Sequence, residues 1–125
     1  MREAVRQYFE ALEAGEVDRL VSLFEPNGWV LSPLLGRMTA RDFFPKVVEA
    51  SSGTKLTIHD VLISVEDQPR AVGYFKYDWW LKDGSKVSFE AADVFTFNPE
   101  TGKISSMVIL YDTYPIRDSV GDPYG

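Results

Sequence analysis

Val87-Ser88-Phe89-Glu90-Ala91-Ala92-Asp93-Val94-Phe95-Thr96-Phe97 is the stretch from which the rest of the chain can be read. Successive side chains on a strand point to opposite faces, so Val87, Phe89, Ala91, Asp93, Phe95 and Phe97 share one face. That face is apolar except for Asp93, which predicts a strand laid against a core with one carboxyl out of place. Working outward, Gly73 to Lys82 is a second strand, joined to the first by a turn at Asp83-Gly84. Leu56 to Glu66 is a third, ending in the turn Asp67-Gln68-Pro69, and Lys103 to Asp112 is the last. Connections this short are hairpins, so the sheet is expected to be largely antiparallel and strongly bent.

Toward the N-terminus the apolar period changes from two to that of a helix. Val5, Tyr8, Phe9 and Leu12 mark one helical face, and Gly15 supplies a left-handed stop. Val17, Leu20, Val21 and Phe24 repeat the spacing until Pro26-Asn27-Gly28 ends the segment. Trp29 to Ser32 reads as a short strand stopped by Pro33, and a loop through Gly36 leads to Thr39. The Thr39 hydroxyl is expected to cap a third helix, with Asp42 in its first turn and Phe43, Phe44, Val47 and Val48 on its buried face. Pro45 is expected to kink it or confine it to separate turns. Helices followed by a meander give the α+β class, with residues 1–117 as one domain and 118–125 as a loosely ordered tail.

Composition narrows the function classes. The 125 residues are 45% hydrophobic and 26% charged, the balance of a single globular domain. A formal net charge of −6 argues against nucleic acid and anionic membranes, whose phosphates need clustered cations. With no cysteine, disulfides, zinc-thiolate sites and thiol nucleophiles drop out, and a single histidine is no basis for a metal site. Glycine-rich phosphate loops, a serine nucleophile elbow and a dinucleotide fingerprint are not found in the sequence, so nucleotide and acyl-serine chemistry drop out. The opening residues Met1 to Arg6 carry both signs of charge, unlike a signal peptide, and no apolar run approaches a membrane span. A cytoplasmic location is the expectation.

Four polar residues sit in apolar company. Asp93 is either satisfied at a turn or bulge, or it faces a pocket where burial keeps it protonated as a donor. Tyr8 lies on the apolar stripe of the first helix, where its hydroxyl needs a partner in a core or in a pocket. Asp112 ends the last strand, sharing a face with Leu110, Val108 and Ile104, while Tyr111, Ile109 and Met107 make the other face. Both faces are apolar, so the strand is central to the fold or part of an interface, and Asp112 reads as a turn former beside Thr113 and Pro115 or as a polar misfit. His59 shares a strand face with Val61, Ile63 and Val65 and reads as a rim histidine or a general base.

From Tyr8 to Arg117 the chain resembles the nuclear-transport-factor-2-like superfamily, in its branch of ketosteroid isomerases and SnoaL-like polyketide cyclases. The likeness is carried by Tyr8-Phe9-Glu10-Ala11-Leu12-Glu13-Ala14-Gly15, by Leu23-Phe24-Glu25-Pro26-Asn27-Gly28 ahead of Ser32-Pro33, by Asp93 to Asn98, and by Ile104 to Asp112. The resemblance implies a cone of bent antiparallel sheet closed by three N-terminal helices, an apolar pocket inside it, and a homodimer formed through the sheet. In the isomerase branch a tyrosine of the first helix and a protonated aspartate of the penultimate strand form the oxyanion hole, and Tyr8 and Asp93 stand at those positions. The carboxylate base of that branch is replaced by Ser32. In SnoaL-like cyclases and the related epoxide hydrolases an acid/base aspartate ends the last long strand, and Asp112 looks like that residue.

Together these readings predict a cofactor-free enzyme that moves a proton beside a carbonyl in a hydrophobic small molecule. Tyr8, Asp93 and Asp112 would be catalytic, with Trp29, Ser32, His59, Tyr77, Trp79 and Phe89 around the substrate. The alternative is a carrier of a small lipophilic ligand, or a dimeric interaction module, on the same fold.

Overall fold

The computed structural model describes residues 1–113, so the expected tail at 118–125 lies outside the described residues. Three helices, α1 (Arg2–Ala14), α2 (Val17–Ser22) and α3 (Ala40–Ala50), accompany six strands: β1 (Phe24–Ser32), β2 (Gly36–Thr39), β3 (Ser51–Ile63), β4 (Arg70–Leu81), β5 (Lys86–Phe97) and β6 (Ile104–Tyr111). The strands form one curled, unclosed sheet in the order β2-β1-β6-β5-β4-β3.

The apolar stripe of α1 buries Val5, Tyr8, Phe9, Ala11 and Leu12 against the sheet. Gly15, at φ 70°, turns the chain so that its own N–H and that of Glu16 close onto the carbonyls of Leu12 and Ala11 at 3.2 and 3.0 Å. In α3, Phe43 and Phe44 are buried, and Phe44 packs on Phe24 and Tyr8. Pro45 lies within the helix, where it deprives the Arg41 carbonyl of its intrahelical donor.

The expected elements differ from the observed ones in places that have physical causes. Phe24 is not the last apolar residue of the second helix but the first residue of β1, because it pairs beside Ile104. Pro26-Asn27-Gly28 therefore does not end a segment; it forms an irregularity in β1, where the register with β6 shifts between Phe24 and Trp29. Glycine suits position 28, since a Cβ there would lie 3.0 Å from the Glu25 carbonyl oxygen and 3.1 Å from that of Ile104, and the backbone would have to give by a few tenths of an ångström. The stretch read as a loop through Gly36 is a short edge strand, β2, paired antiparallel to β1. Thr39 precedes α3, but its hydroxyl makes no cap bond and is buried without a partner among the described residues. Its backbone belongs to the β2 ladder, opposite Trp29. The sheet is antiparallel except for β1 against β6, which run parallel because the long connection between them carries the rest of the domain.

Alternation in β5 holds as expected: Val87, Ala91, Asp93, Phe95 and Phe97 are buried, and Phe89 is half-buried. In β6 a bulge at Ser105 shifts the phase, so Ile104 points inward with Met107 and does not share a face with Asp112.

Candidate active site

The inner face of the sheet and two helices enclose a cavity of about 500 Å³. Its size is that of small-molecule sites, and its wall is mostly apolar. Helix α1 contributes Tyr8 and Leu12, and α3 contributes Phe43, Lys46, Val47 and Ala50. Strand β4 supplies Phe75, Tyr77, Trp79 and Leu81, β5 supplies Phe89, Ala91 and Asp93, and β6 supplies Ile109 and Tyr111. The turn after β1 adds Ser32, Leu34 and Leu35.

One wall is a ladder of rings. Tyr77 and Phe89 are directly paired across β4 and β5 and stack at 5.1 Å, and Phe89 stacks on Tyr111 at 4.5 Å. Trp79 is fixed at its edge by donating from Nε1 to the Ser51 hydroxyl at 2.6 Å, and that hydroxyl donates to the Val47 carbonyl at 2.7 Å.

The buried end is polar at one point. Tyr8 and Asp93 are each 2% exposed and meet there. Rings of Phe9, Phe44 and Phe95 surround Tyr8 edge-on at 5.1 to 6.0 Å, so little but Asp93 can answer its hydroxyl. Asp93 lies between Ala91 and Phe95, with Gly73 opposite it on β4 and Ile109 opposite it on β6. Desolvation pushes its carboxyl up to about 8, against the opposing pull of the hydrogen bond from Tyr8. Its Oδ1 is enclosed without a hydrogen-bond partner among the described residues. Burial, and secondarily the charge on an ionised Asp93, pushes the Tyr8 phenol well above its ordinary range. At neutral pH both groups therefore carry their protons and can donate them.

The SnoaL-like domain model matches residues 5–107 of this chain. The chain belongs to that family. Among solved structures, the epoxide hydrolase/cyclase-like enzyme SalBIII, which has a role in pyran ring formation in the polyether salinomycin, is similar at 24% identity and a TM-score of 0.76, covering 91% of this chain and 92% of its own. A protein of ketosteroid isomerase-like fold from Catenulispora acidiphila DSM 44928, in complex with trimethylamine, is 17% identical with a TM-score of 0.79, over 97% and 94% of the two chains. An LEH-like epoxide hydrolase from M. tuberculosis is 15% identical with a TM-score of 0.74, over 93% and 85%. At these identities the likeness is one of fold. No curated protein matches the chain. The nuclear-transport-factor-2-like resemblance and the α+β cone fold thus hold for this SnoaL-like domain.

Of the residues singled out in the sequence, the SnoaL-like fold brings Tyr8, Ser32, Tyr77, Trp79, Phe89 and Asp93 to one cavity. Ser32 serves the turn, its Oγ accepting the N–H groups of Leu34 and Leu35 at 3.2 and 3.4 Å. Three residues lie elsewhere. Trp29 points to the outer face, because β1 turns Val30 and Ser32 inward, and the Arg37 guanidinium sits 4.1 Å from its ring centroid. His59 is on the outer face as well: the bulge between Ile58 and Asp60 breaks the alternation that would align it with Val61 and Ile63. There its Nε2 lies 2.8 Å from Glu90, and its ring rests on Tyr74. Asp112 follows the last paired residue of β6, is exposed, and is not part of the cavity wall, which takes Tyr111 and Ile109 instead. The reading of Asp112 as a pocket base therefore finds no geometric support.

Val47 lies on the buried face expected of the third helix, whereas Lys46, Ala50 and Tyr111 line the cavity without having stood out in the sequence. The signal for the helix was available, since Phe43, Val47 and Ala50 recur at i, i+4 and i+7.

Proposed function

We propose that this SnoaL-like domain is a cofactor-free acid/base enzyme acting on a hydrophobic carbonyl compound, of isomerase or cyclase type. The observation that carries the reading is the meeting of Asp93 and Tyr8 at the buried end of an otherwise apolar cavity, where desolvation pushes the Asp93 carboxyl up to about 8. Two donors fixed in a water-poor site stabilise negative charge as it develops on a substrate oxygen. An isomerisation or ring closure moves hydrogen within the substrate. Asp93 can then give its proton to the oxygen and, as a carboxylate, take one back from the substrate, so the balance closes over a turnover. A pKa near 8 keeps both forms within reach of neutral pH, as efficient proton transfer requires.

The test is titration with a series of substituted phenols and the steroid-like phenol equilenin, read by ultraviolet absorption and fluorescence. Binding with a shifted phenol ionisation is expected. Asp93→Asn combined with Tyr8→Phe is expected to weaken it by at least about tenfold, since a hydrogen bond to a charged group contributes about 1.5–3 kcal/mol. Unchanged affinity in the double variant would remove the oxyanion-binding assignment. Asp93 is the sole carboxyl of the cavity among the described residues, and that observation supports a second reading, a carrier that binds such ligands without turnover. Isomer or ring formation by the native chain, lost in Asp93→Asn, decides between the two.

We also infer that the partner of the sheet is a second copy of the chain. Paired positions Leu62, Val72, Val94, Val108 and Leu31 align across the outer face of five strands, and Leu31, Leu62, Tyr74 and Leu110 remain exposed. Light scattering should report a dimer of the native chain and a monomer of Leu110→Lys; a monomeric native chain at high concentration would contradict this.

A further inference from the structure

Apart from Asp93, one side chain of the cavity wall carries a formal charge: Lys46. It follows Phe43 by three positions on α3 and precedes Val47, both of which face the cavity, yet it is itself exposed. That combination places its stem along the wall and its ammonium at the rim, as long cationic side chains commonly sit. Among the described residues no carboxylate forms an ion pair with it. The cavity therefore has two polar ends, proton donors where it is closed and a cation where it opens, with an aromatic and aliphatic wall between.

We infer that the ligand is an amphiphile with three matching parts: a carbonyl or enol oxygen at Tyr8 and Asp93, an apolar body along the ring ladder, and a carboxylate held at the rim by Lys46. The inference rests on the reading of Tyr8 and Asp93 given above and adds the far end of the molecule. A carboxylate could not be carried inward past the aromatic wall without losing its hydration, so it stays at the rim and fixes which end of the ligand enters first. A cationic group there would meet Lys46 as a like charge. The chain's net charge of −6 repels anions at long range, so an anion is retained only where a local cation outweighs that field. A single ammonium suits one carboxylate, whereas phosphate recognition draws on a fork or cluster of donors.

The test compares two phenols of equal chain length, para-hexylphenol and the same phenol with its chain ending in a carboxylate. Dissociation constants are measured with the full chain near neutral pH, at low and high salt. In the native chain the carboxylated phenol is expected to bind about fivefold tighter at low salt, the size of one exposed ion pair. That ratio should fall to about one in Lys46→Met and at high salt, and should survive in Lys46→Arg. Equal binding of both phenols by the native chain would overturn this inference alone and leave the oxyanion site standing. A preference that persists in Lys46→Met would overturn it too. Failure of the carboxylated phenol alone would overturn only this inference, and failure of both phenols to bind would bring down the oxyanion reading with it.

Discussion

Raising the pH from about 5 to about 8 is expected to cost the native protein several kcal/mol of unfolding free energy, and Asp93→Asn is expected to remove most of that dependence. Asp93 titrates near 8 when folded, against about 3.9 in an unfolded chain. Between those values the folded state holds a proton that the unfolded state has released. The stabilisation is fully present below the unfolded value and declines by about 1.4 kcal/mol per pH unit as the pH rises toward the folded one. Above about 8 the group is ionised in both states and its slope vanishes. Asp78 acts in a different window. A hydrogen bond from Ser88, and the nearby Lys76 and Lys86, hold its carboxyl below the usual range, so its contribution is lost only as the pH falls into the acid region. Asparagine has no proton to lose, so Asp93→Asn should be the more stable protein at pH 8. Urea unfolding followed by tryptophan fluorescence across the pH series measures the effect. A native profile as flat as that of the variant would show that Asp93 is ionised in the folded protein.

Gly73→Ala should cost about 1–3 kcal/mol of stability and loosen the site at the same time. A Cβ at position 73 would stand 2.5 and 2.6 Å from two atoms of the Phe9 ring. That ring cannot swing aside, because it is buried and packed on Phe75 at 4.8 Å and beside Tyr8 at 5.3 Å. The clash is therefore relieved by lifting α1 from the sheet. Gly73 pairs with Asp93 across β4 and β5, and Tyr8 precedes Phe9 on the helix, so the displaced group is the partner of the acid. Phenol affinity should fall along with stability. Phe9→Ala alone removes a large core side chain, at about 3–5 kcal/mol. In the double variant the methyl added at position 73 occupies part of the space the ring has left, so the combined loss should be smaller than the sum. Additive losses in this double-mutant cycle would mean that Phe9 does not rest on Gly73.

The sequence was most legible where one periodicity ran without interruption. The stripe Val5, Tyr8, Phe9 and Leu12, the stop at Gly15 and the alternation of β5 translate directly into structure, and Asp93 is found where its neighbours placed it. Several failures sit where residues were inserted into a ladder. The bulge after Ile58 reverses His59, the bulge at Ser105 rephases Ile104, and the irregularity before Trp29 hides a strand that begins at Phe24. A shift of one position turns every following side chain to the other face, and nothing in the local composition announces it. Asp112 lies one residue past the last pair, where alternation gives the cavity wall to Tyr111 among the described residues. Lys46 escaped notice because a lone lysine on a helix looks like solvent surface until the cavity beside it is seen.

Everything proposed for the cavity depends on Asp93 being a neutral acid in the folded protein. Carbon-13 resonance of aspartate carboxyl groups, with the Asp93 signal identified by its loss in Asp93→Asn, reads that state directly. The signal should remain that of a protonated acid at pH 7 and titrate near pH 8, and in Tyr8→Phe it should titrate higher still, because the hydrogen bond that favours the carboxylate is gone. An Asp93 signal that titrates near pH 4 with the surface aspartates would contradict the account.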